Sequence, residues 1–236
     1  GGTPEALQFL AVGDWGGLPD PPFHTPREVA TAQAMAQAAA ELGADFILSL
    51  GDNFYYQGVK DEWDPRFQDT FERVFTAPAL QPLPWFVLAG NHDHAGNVSA
   101  QLAYSRHSAR WHFPHPYYSL RLSLPGTNTT ARLLLLDTVL LCGGGDDFDL
   151  PGPPRGPQDQ AEAARQLLWL QKRLEASQSD QYVLVAGHYP LWSVAEHGPS
   201  ECLVRLVRPL LMKYKVTAYL CGHDHNLQVR ETPPGI

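Results

Sequence analysis

The chain has 236 residues, of which 44% are hydrophobic, so it is long and apolar enough for one domain with a sizeable core. Its net charge of -8 argues against nucleic acid as the main partner, because binding a phosphate backbone requires a basic face. The apolar stretch ARLLLLDTVLLCGGG is interrupted by Asp137 and ends in glycines, so it does not predict a membrane span.

The first half of the chain alternates short apolar runs with helical patterns. After the run LQFLAV, the segment TPREVATAQAMAQAAAELG has Thr25 as a helix N-cap, Pro26 in the first helical position, Glu28 completing a capping box and Gly43 closing the helix. FILSL is the next run, PRFQDTFERVF has helical spacing, and PWFVLA follows. Each run has the length of a strand and is almost continuously apolar, which is typical of strands buried on both faces.

The second half begins with YYSLRLSL and ARLLLLDT, which are joined by PGTNTT and predict neighbouring antiparallel strands. DQAEAARQLLWLQKRLEA has helical spacing and precedes the apolar run YVLVA. ECLVRLVRPLLMKY is less regular because of Pro209, and VTAYLC is the last run. The alternation of strands and helices indicates a largely α/β architecture.

Each of the five apolar runs ends at a glycine, and a residue type that binds metals follows directly: Asp14, Asp52, Asn91, His188 and His223. Singly, such a residue is usually a cap or a turn residue, but five repetitions at strand ends favour a shared site. Ligands of open α/β sheets bind beyond the carboxyl ends of the strands, and a preceding glycine lets the backbone turn sharply there. With Tyr55 and His225 there are seven candidates, which suits two ions that share a bridging carboxylate.

Three cysteines allow one disulfide with one cysteine left over. Cys142 and Cys202 have loop-like surroundings and are predicted to pair, whereas Cys221 ends an apolar run and is expected to be a buried free thiol. The sequons at Asn97 and Asn128 predict glycosylation. Since the chain also starts without methionine, we expect a secreted or lysosomal protein after removal of a signal peptide.

Four segments resemble the motifs of the binuclear metallophosphoesterases: GDNFYYQG, GNHD, AGHY and CGHDH. GDW near the start, and a tyrosine after the second aspartate, resemble the purple acid phosphatases, in particular their small animal type. The resemblance runs from Leu7 to Gln228. It implies one catalytic domain over residues 1–236, folded as a four-layer α/β sandwich of two central mixed β-sheets flanked by helices. Because the family continues for several dozen residues beyond the last motif, the last strands are expected to be missing from this chain.

The resemblance also implies an acid phosphatase that hydrolyses phosphate monoesters with a metal-bound hydroxide. Asp14, Asp52, Tyr55 and His225 would hold a ferric ion, and Asp52 would bridge to a second ion, ferrous iron or zinc. That second ion would be held by Asn91, His188 and His223. Carboxylates and a phenolate suit a trivalent ion, whereas an amide oxygen and imidazoles suit a divalent one. His92 and His197 resemble the phosphate-contacting and proton-donating histidines of the family.

Two other functions stay open at this point. A secreted iron-carrying protein would use the same ligands without needing His92 and His197 above the metals. A phosphodiesterase of the same superfamily would prefer diesters to monoesters. For the phosphatase, the expected substrates are phosphate monoesters, including phosphoproteins or nucleotides, and the expected state is a monomer.

The segment 143–158 is predicted to be an irregular loop, rich in glycine and proline, that carries Asp146, Asp147 and Asp149. A bridge between Cys142 and Cys202 would hold it near AEHG. Because acidic side chains would compete with phosphate for a cationic centre, we predict an inhibitory lid whose cleavage raises activity. The alternative is a solvated loop without a role.

Overall fold

The computed structural model describes residues 6–145 and 152–231, and eight strands in these ranges form two four-stranded sheets. In the first sheet all neighbours are parallel, in the order β1 (Phe9–Val12), β2 (Phe46–Ser49), β3 (Trp85–Val87) and β4 (Trp111–His112). In the second sheet the order is β5 (Tyr118–Ser123), β6 (Thr130–Leu135), β7 (Tyr182–Ala186) and β8 (Ala218–Leu220). The β5–β6 pair is antiparallel and the other pairs are parallel, so only this second sheet is mixed.

The helices follow the strands along the chain. They are α1 (Pro26–Leu42), a π-helix (Phe67–Glu72), α2 (Asn91–His94), α3 (Val98–Tyr104), α4 (Thr138–Cys142), α5 (Gln160–Ala176), α6 (Glu201–Leu206) and α7 (Arg208–Lys213). The predicted α/β architecture of two sheets with helices is confirmed. None of the described helices is long and apolar enough to cross a membrane.

Helix α1 has most of the predicted caps. The Thr25 hydroxyl accepts a hydrogen bond from the Glu28 backbone N–H at 3.0 Å, and Gly43 closes the helix in a left-handed conformation. The capping box, however, is only half formed, since neither carboxyl oxygen of Glu28 has a hydrogen-bond partner among the described residues. The Glu28 carboxyl instead lies against Gly17, where an added Cβ would come within 3.2 Å of its Oε2.

Three other predictions need correction. β1 and β8 are edge strands and are only partly buried, unlike β2, which is buried throughout. The segment ECLVRLVRPLLMKY forms two helices, α6 and α7, because Pro209 lacks the N–H that would continue the first. In PRFQDTFERVF, only Phe67–Glu72 is regular, and it is π-helical.

The two cysteines that were predicted to pair lie in helices rather than loops. Cys142 is the last residue of α4 and Cys202 the second of α6, and a disulfide joins them with a Cα–Cα distance of 5.9 Å. Cys221 is free, as predicted, but it is partly exposed rather than buried. Asp146, Asp147 and Asp149 lie outside the described residues, so the lid stays a prediction.

Both sequon asparagines are exposed. Asn128 lies in the turn between β5 and β6. Asn97 is the N-cap of α3, and its side-chain oxygen accepts from the Ala100 N–H at 3.0 Å. Their glycosylation stays a prediction.

A cluster of buried aromatic rings supports the loops that follow β1 and β2. Trp15, one residue after Asp14, packs edge-on against Phe54 and Trp85, with ring centroids 5.8 and 5.5 Å away. Its indole N–H donates to the Ser49 hydroxyl at 2.8 Å. Since these contacts bury large apolar surfaces, the backbone around Asp14 is held against the end of β2.

Candidate metal centre

Both sheets contribute to the candidate site. β1, β2 and β3 of the first sheet lead to Asp14, Asp52 and Asn91, whereas β7 and β8 of the second lead to His188 and His223. The ends of the two sheets meet closely, because a Cβ added at Gly13 would lie 3.3 Å from the Cα of Gly222. Residues that are far apart in the sequence therefore face one crevice.

Three of the candidate ligands have left-handed backbone conformations. The φ angles are 59° at Asp14, 53° at Asp52 and 70° at His223, in a region that residues with a side chain rarely adopt. Hydrogen bonds hold this conformation: the Asp14 N–H donates to the Gly51 carbonyl at 2.9 Å, and the His223 N–H donates to both Asp14 carboxyl oxygens at 3.1 Å. Such conformations concentrate at functional sites, where the surrounding structure enforces them.

Asp52 occupies the middle of the cluster. Its Oδ2 lies 3.4 Å from the Tyr55 hydroxyl on one side and 3.3 Å from His188 Nε2 on the other. The Tyr55 hydroxyl is also 3.0 Å from His225 Nε2, and His225 Nε2 is 3.7 Å from Asp14 Oδ1. One carboxylate is thus shared by two groups of side chains.

The second group lies on the His188 side. His188 Nε2 is 3.0 Å from Asn91 Oδ1, and the potential ligand atoms of Asp52, His188 and His223 lie within 4.8 Å of one another. The structure therefore brings all seven predicted ligand residues into one cluster.

Hydrogen bonds orient two histidine rings. His188 Nδ1 lies 2.8 Å from the Leu50 carbonyl, which can only accept, so Nδ1 donates and Nε2 faces the cluster. Such a bond to the other ring nitrogen fixes the tautomer of a metal-binding histidine. His92 Nδ1 donates in the same way to the Tyr56 carbonyl at 2.8 Å, and the His92 backbone N–H donates to Asp52 Oδ1 at 3.1 Å.

The charges of the cluster are strongly coupled. Burial raises the pKa of Asp14 to about 7, although the charge of His188 opposes this shift. Burial also disfavours the charged forms of Asp52 and His188, but their mutual attraction is stronger. It lowers the pKa of Asp52 below its usual range and raises that of His188 to about 9. Buried negative charge here requires a positive partner, which is either a proton on His188 or a bound cation.

The pKa values of Tyr55, His223 and His225 are shifted so that their neutral forms are favoured. Burial and the Asp52 and Asp14 charges raise the pKa of the Tyr55 phenol above its usual value. Burial, together with the neighbouring His188 and His197, lowers the pKa of His223 to about 2, and burial also lowers that of His225. Neutral imidazoles are the form that binds metals.

The donor set and its surroundings fit a binuclear centre. Carboxylate, phenol, amide and imidazole groups are ligands of hard and borderline cations. Asn91 Nδ2 is buried and has no hydrogen-bond partner in the described part of the chain, so this donor can bond to a ligand at the site. A Cβ at Gly51 would lie 2.7 Å from His188 Nδ1, and one at Gly90 would lie 2.6 Å from the Asp52 backbone nitrogen. Only glycine permits these approaches.

His197 lies beside the cluster. Its ring stacks on the ring of His223 with a centroid distance of 4.1 Å, and its backbone N–H donates to Asp224 Oδ1 at 3.0 Å. No role was predicted from the sequence for Asp224, which lies between the two histidines of GHDH. An acidic residue between two candidate ligands was the available signal.

A buried polar network beneath the cluster was also missed. Asp93 accepts from the Gly90 N–H at 2.8 Å, from the Asn53 N–H at 3.1 Å and from Gln101 Nε2 at 2.8 Å. It therefore connects the loop after β2 with the loop after β3. Asn53 and Asp93 lie within the motifs GDN and GNHD, but nothing in the sequence indicates that they meet.

Known proteins resemble this chain over most of its length. A family model described as calcineurin-like phosphoesterase matches residues 7–227. Tartrate-resistant acid phosphatase type 5 of Homo sapiens is 60% identical over 236 residues, covering 100% of this chain and 72% of the human protein. Purple acid phosphatase 4 of Arabidopsis thaliana is 33% identical over 234 residues, covering 94% of this chain and 63% of the plant protein.

Two solved structures share the fold. GAP50, the anchor in the inner membrane complex of Plasmodium, matches with a TM-score of 0.81 and 24% identity, covering 97% of this chain and 69% of that one. A dimetal phosphatase from Danio rerio matches with a TM-score of 0.59 and 16% identity, covering 93% of this chain and 82% of that one.

Proposed function

The chain belongs to the calcineurin-like phosphoesterases and, within them, to the purple acid phosphatases, and from this membership we propose which of its residues perform the reaction. It is an acid phosphatase, a metal-dependent phosphomonoesterase with a binuclear metal centre. The remaining questions are which residues hold each ion, which ions they hold, and which groups handle the phosphate.

The proposed ligand assignment follows the contacts of Asp52. Asp14, Tyr55 and His225 would hold one ion; Asn91, His188 and His223 would hold the other. Asp52 would bind both, and the observation that carries this assignment is the position of its Oδ2 between the Tyr55 hydroxyl and His188 Nε2. The anionic oxygen donors favour Fe(III) in the first position, and the amide and imidazole donors favour Fe(II) or zinc in the second.

The bound ions would withdraw charge from the phosphoryl oxygens and increase the acidity of water at the site. The side chains around them would bind and orient the phosphate. Asn91 Nδ2 is a buried donor without a partner in the described residues, and it could donate to a phosphoryl oxygen. The bond from Nδ1 to the Tyr56 carbonyl fixes the His92 ring, so that Nε2 is the nitrogen left for the phosphate.

His197 is the proposed proton donor to the leaving group. Its stacking on His223 keeps the ring beside the metal cluster, and the Asp224 carboxylate fixes its backbone. A general acid must reach the leaving oxygen while the phosphate is bound, and a ring anchored to a ligand histidine has a defined position for this.

We further propose a secreted or lysosomal location. The Cys142–Cys202 disulfide supports it, because disulfides persist in oxidising compartments. The exposure of Asn97 and Asn128 is compatible with glycosylation at both sequons. The proposed substrates are phosphate monoesters, including phosphoproteins or nucleotides.

The test compares p-nitrophenyl phosphate with bis(p-nitrophenyl) phosphate at acidic pH, using metal-loaded protein whose iron and zinc contents are measured. We expect two metals per chain and faster hydrolysis of the monoester. Faster hydrolysis of the diester would favour the phosphodiesterase, and bound iron without turnover of either ester would favour the iron carrier. An Asn91→Ala variant is the control for metal-dependent turnover.

A further inference from the structure

We propose that Arg66 is a positioning residue of the metal centre, which fixes the Tyr55 backbone against the loop that carries Asp14. This role rests on the proposed assignment of Tyr55 as a ligand. Arg66 lies at the start of the π-helix and is itself no candidate ligand.

The guanidinium of Arg66 joins two ligand-bearing loops. Nη1 donates to the Tyr55 carbonyl at 2.6 Å, and Nη2 donates to the Gly16 carbonyl at 2.6 Å. Arg66 is only 7% exposed, so both bonds are shielded from water. Hydrogen bonds from a charged donor in such surroundings are among the strong ones.

The two loops also touch directly. The Tyr55 N–H donates to the same Gly16 carbonyl at 3.0 Å. A Cβ at Gly16 would lie 2.7 Å from the backbone nitrogens of Phe54 and Tyr55, so no other residue fits between the loops. The peptide groups on both sides of Tyr55 are therefore held, one by Gly16 and the other by Arg66, while its hydroxyl faces Asp52 and His225.

The position of the guanidinium is itself fixed. Nε donates to the Thr70 hydroxyl at 2.8 Å, and this hydroxyl donates to the Phe23 carbonyl at 2.7 Å. Arg66 Cζ also lies 5.8 Å from the centroid of the Phe54 ring. The hydrogen bonds of the Arg66 guanidinium to the described residues all go to uncharged oxygens, and two of them go to backbone carbonyls, which indicates that its planar fork orients these carbonyls.

The alternative is that Arg66 contributes only to the overall stability of the fold. Arg110 provides a control for this alternative. Arg110 is 8% exposed and also donates to two backbone carbonyls, those of Phe75 at 2.5 Å and Glu72 at 2.9 Å. Neither of these residues is a candidate ligand. Arg110 Nε also pairs with the Glu72 carboxylate at 3.0 Å. Replacement of either arginine by lysine keeps the charge but removes the fork, so each variant releases the carbonyls that its own guanidinium holds.

The first experiment measures hydrogen–deuterium exchange of the metal-loaded full chain. In Arg66→Lys, we expect the amides of segment 52–58 to exchange about tenfold faster, the factor that corresponds to the loss of one hydrogen bond to a charged group. In Arg110→Lys, we expect faster exchange around Glu72 and Phe75 and unchanged exchange in 52–58. Unchanged exchange of 52–58 in Arg66→Lys would overturn the proposal, as would equal acceleration of this segment in both variants.

The second experiment records the visible absorption of iron-loaded protein, together with metal content, kcat and KM. A shifted or weakened phenolate band at full metal content, and a lower kcat, are expected for Arg66→Lys, with the wild-type band retained in Arg110→Lys. An unshifted band in Arg66→Lys would refute the effect on Tyr55. If the wild-type protein binds iron but shows no phenolate band, the assignment of Tyr55 as a ligand is wrong. The hydrogen–deuterium exchange experiment still tests the contact of Arg66 with the Tyr55 carbonyl.

A milder variant covers the case in which Arg66→Lys does not fold. Thr70→Val keeps the guanidinium but removes its bond at Nε, so we expect faster exchange in 52–58 by a smaller factor than in Arg66→Lys. Wild-type exchange there in a folded Thr70→Val protein would contradict the proposed positioning of Arg66 through Thr70.

Discussion

Replacement of Glu28 by glutamine should make the protein more stable at neutral pH but not at acidic pH. Glu28 lies in the first turn of α1, is 4% exposed, and finds no hydrogen-bond partner for either carboxyl oxygen within residues 6–145 and 152–231. Burial raises the pKa of its carboxyl to about 9, although the Arg66 charge opposes this shift. The folded protein therefore holds Glu28 protonated, whereas the unfolded chain releases this proton at an ordinary pKa.

The sign and the size of the effect follow from proton linkage. Between the unfolded value of 4.5 and the folded value of about 9, the folded state binds more protons, so the free energy of unfolding falls as pH rises. At about 1.4 kcal/mol for each pH unit, the loss between pH 4.5 and pH 7 is about 3 kcal/mol. Glutamine has nearly the same shape and does not titrate, so Glu28→Gln should not show this loss.

The assay is urea denaturation of both proteins at pH 5 and pH 7 with equal metal loading. The stability difference between Glu28→Gln and wild type should grow by about 2.5 kcal/mol over this interval. Glu41→Gln, an exposed change in the same helix, is the control and should show no such growth. If the stability difference between Glu28→Gln and wild type is the same at both pH values, the Glu28 carboxyl is ionised in the folded protein. Burial would then not outweigh the charge of Arg66 in setting the pKa of Glu28.

Four further predictions concern the centre and the disulfide. Asp52→Ala should lose both metals together, and elemental analysis that finds only one lost would remove Asp52 from the bridging role. Tyr55→Phe should abolish the visible absorption of iron-loaded protein while leaving iron bound, and a persisting band would exclude the Tyr55 phenolate as its source. His92→Ala should retain both metals but lower kcat by about 10²–10⁴-fold, and unchanged kcat would make His92 a bystander. Removing the disulfide by Cys142→Ala and Cys202→Ala should lower the free energy of unfolding by about 4 kcal/mol, from loop closure over a separation of 60 residues, and an unchanged urea midpoint would contradict this.

The candidate ligands could be predicted because their signal is local. A strand that ends at glycine before an aspartate, asparagine or histidine is visible in a few residues, as at Gly51–Asp52 and Gly187–His188. The direction of the strands then makes the side chains meet. The structure shows in addition that Asp14 and Asp52 themselves have left-handed backbone conformations. These turns therefore involve the aspartates as well as the glycines that precede them.

The residues that support the ligands could not be predicted, because their partners lie far away in the sequence. Arg66 contacts Gly16 across 50 positions, and His197 is fixed by Asp224 across 27. Neither contact leaves a periodic or spacing signal. Short elements such as α2 and β4 were missed for a related reason: a few residues carry too little pattern to separate a helix or strand from a loop.

The division of the candidate ligands between two sheets links metal binding to the packing of the fold. In the proposed assignment, each ion takes ligands from both sheets: Asp14 and His225 for one ion, Asn91 and His188 for the other. Hydrogen bonds also cross this boundary, from the His223 N–H to Asp14 and from His188 Nδ1 to the Leu50 carbonyl. A ligand that binds only the assembled arrangement stabilises it by mass action. Ion binding would therefore stabilise the same contacts that position the seven side chains. The packing of the two sheets and the formation of the metal centre would then be one coupled equilibrium.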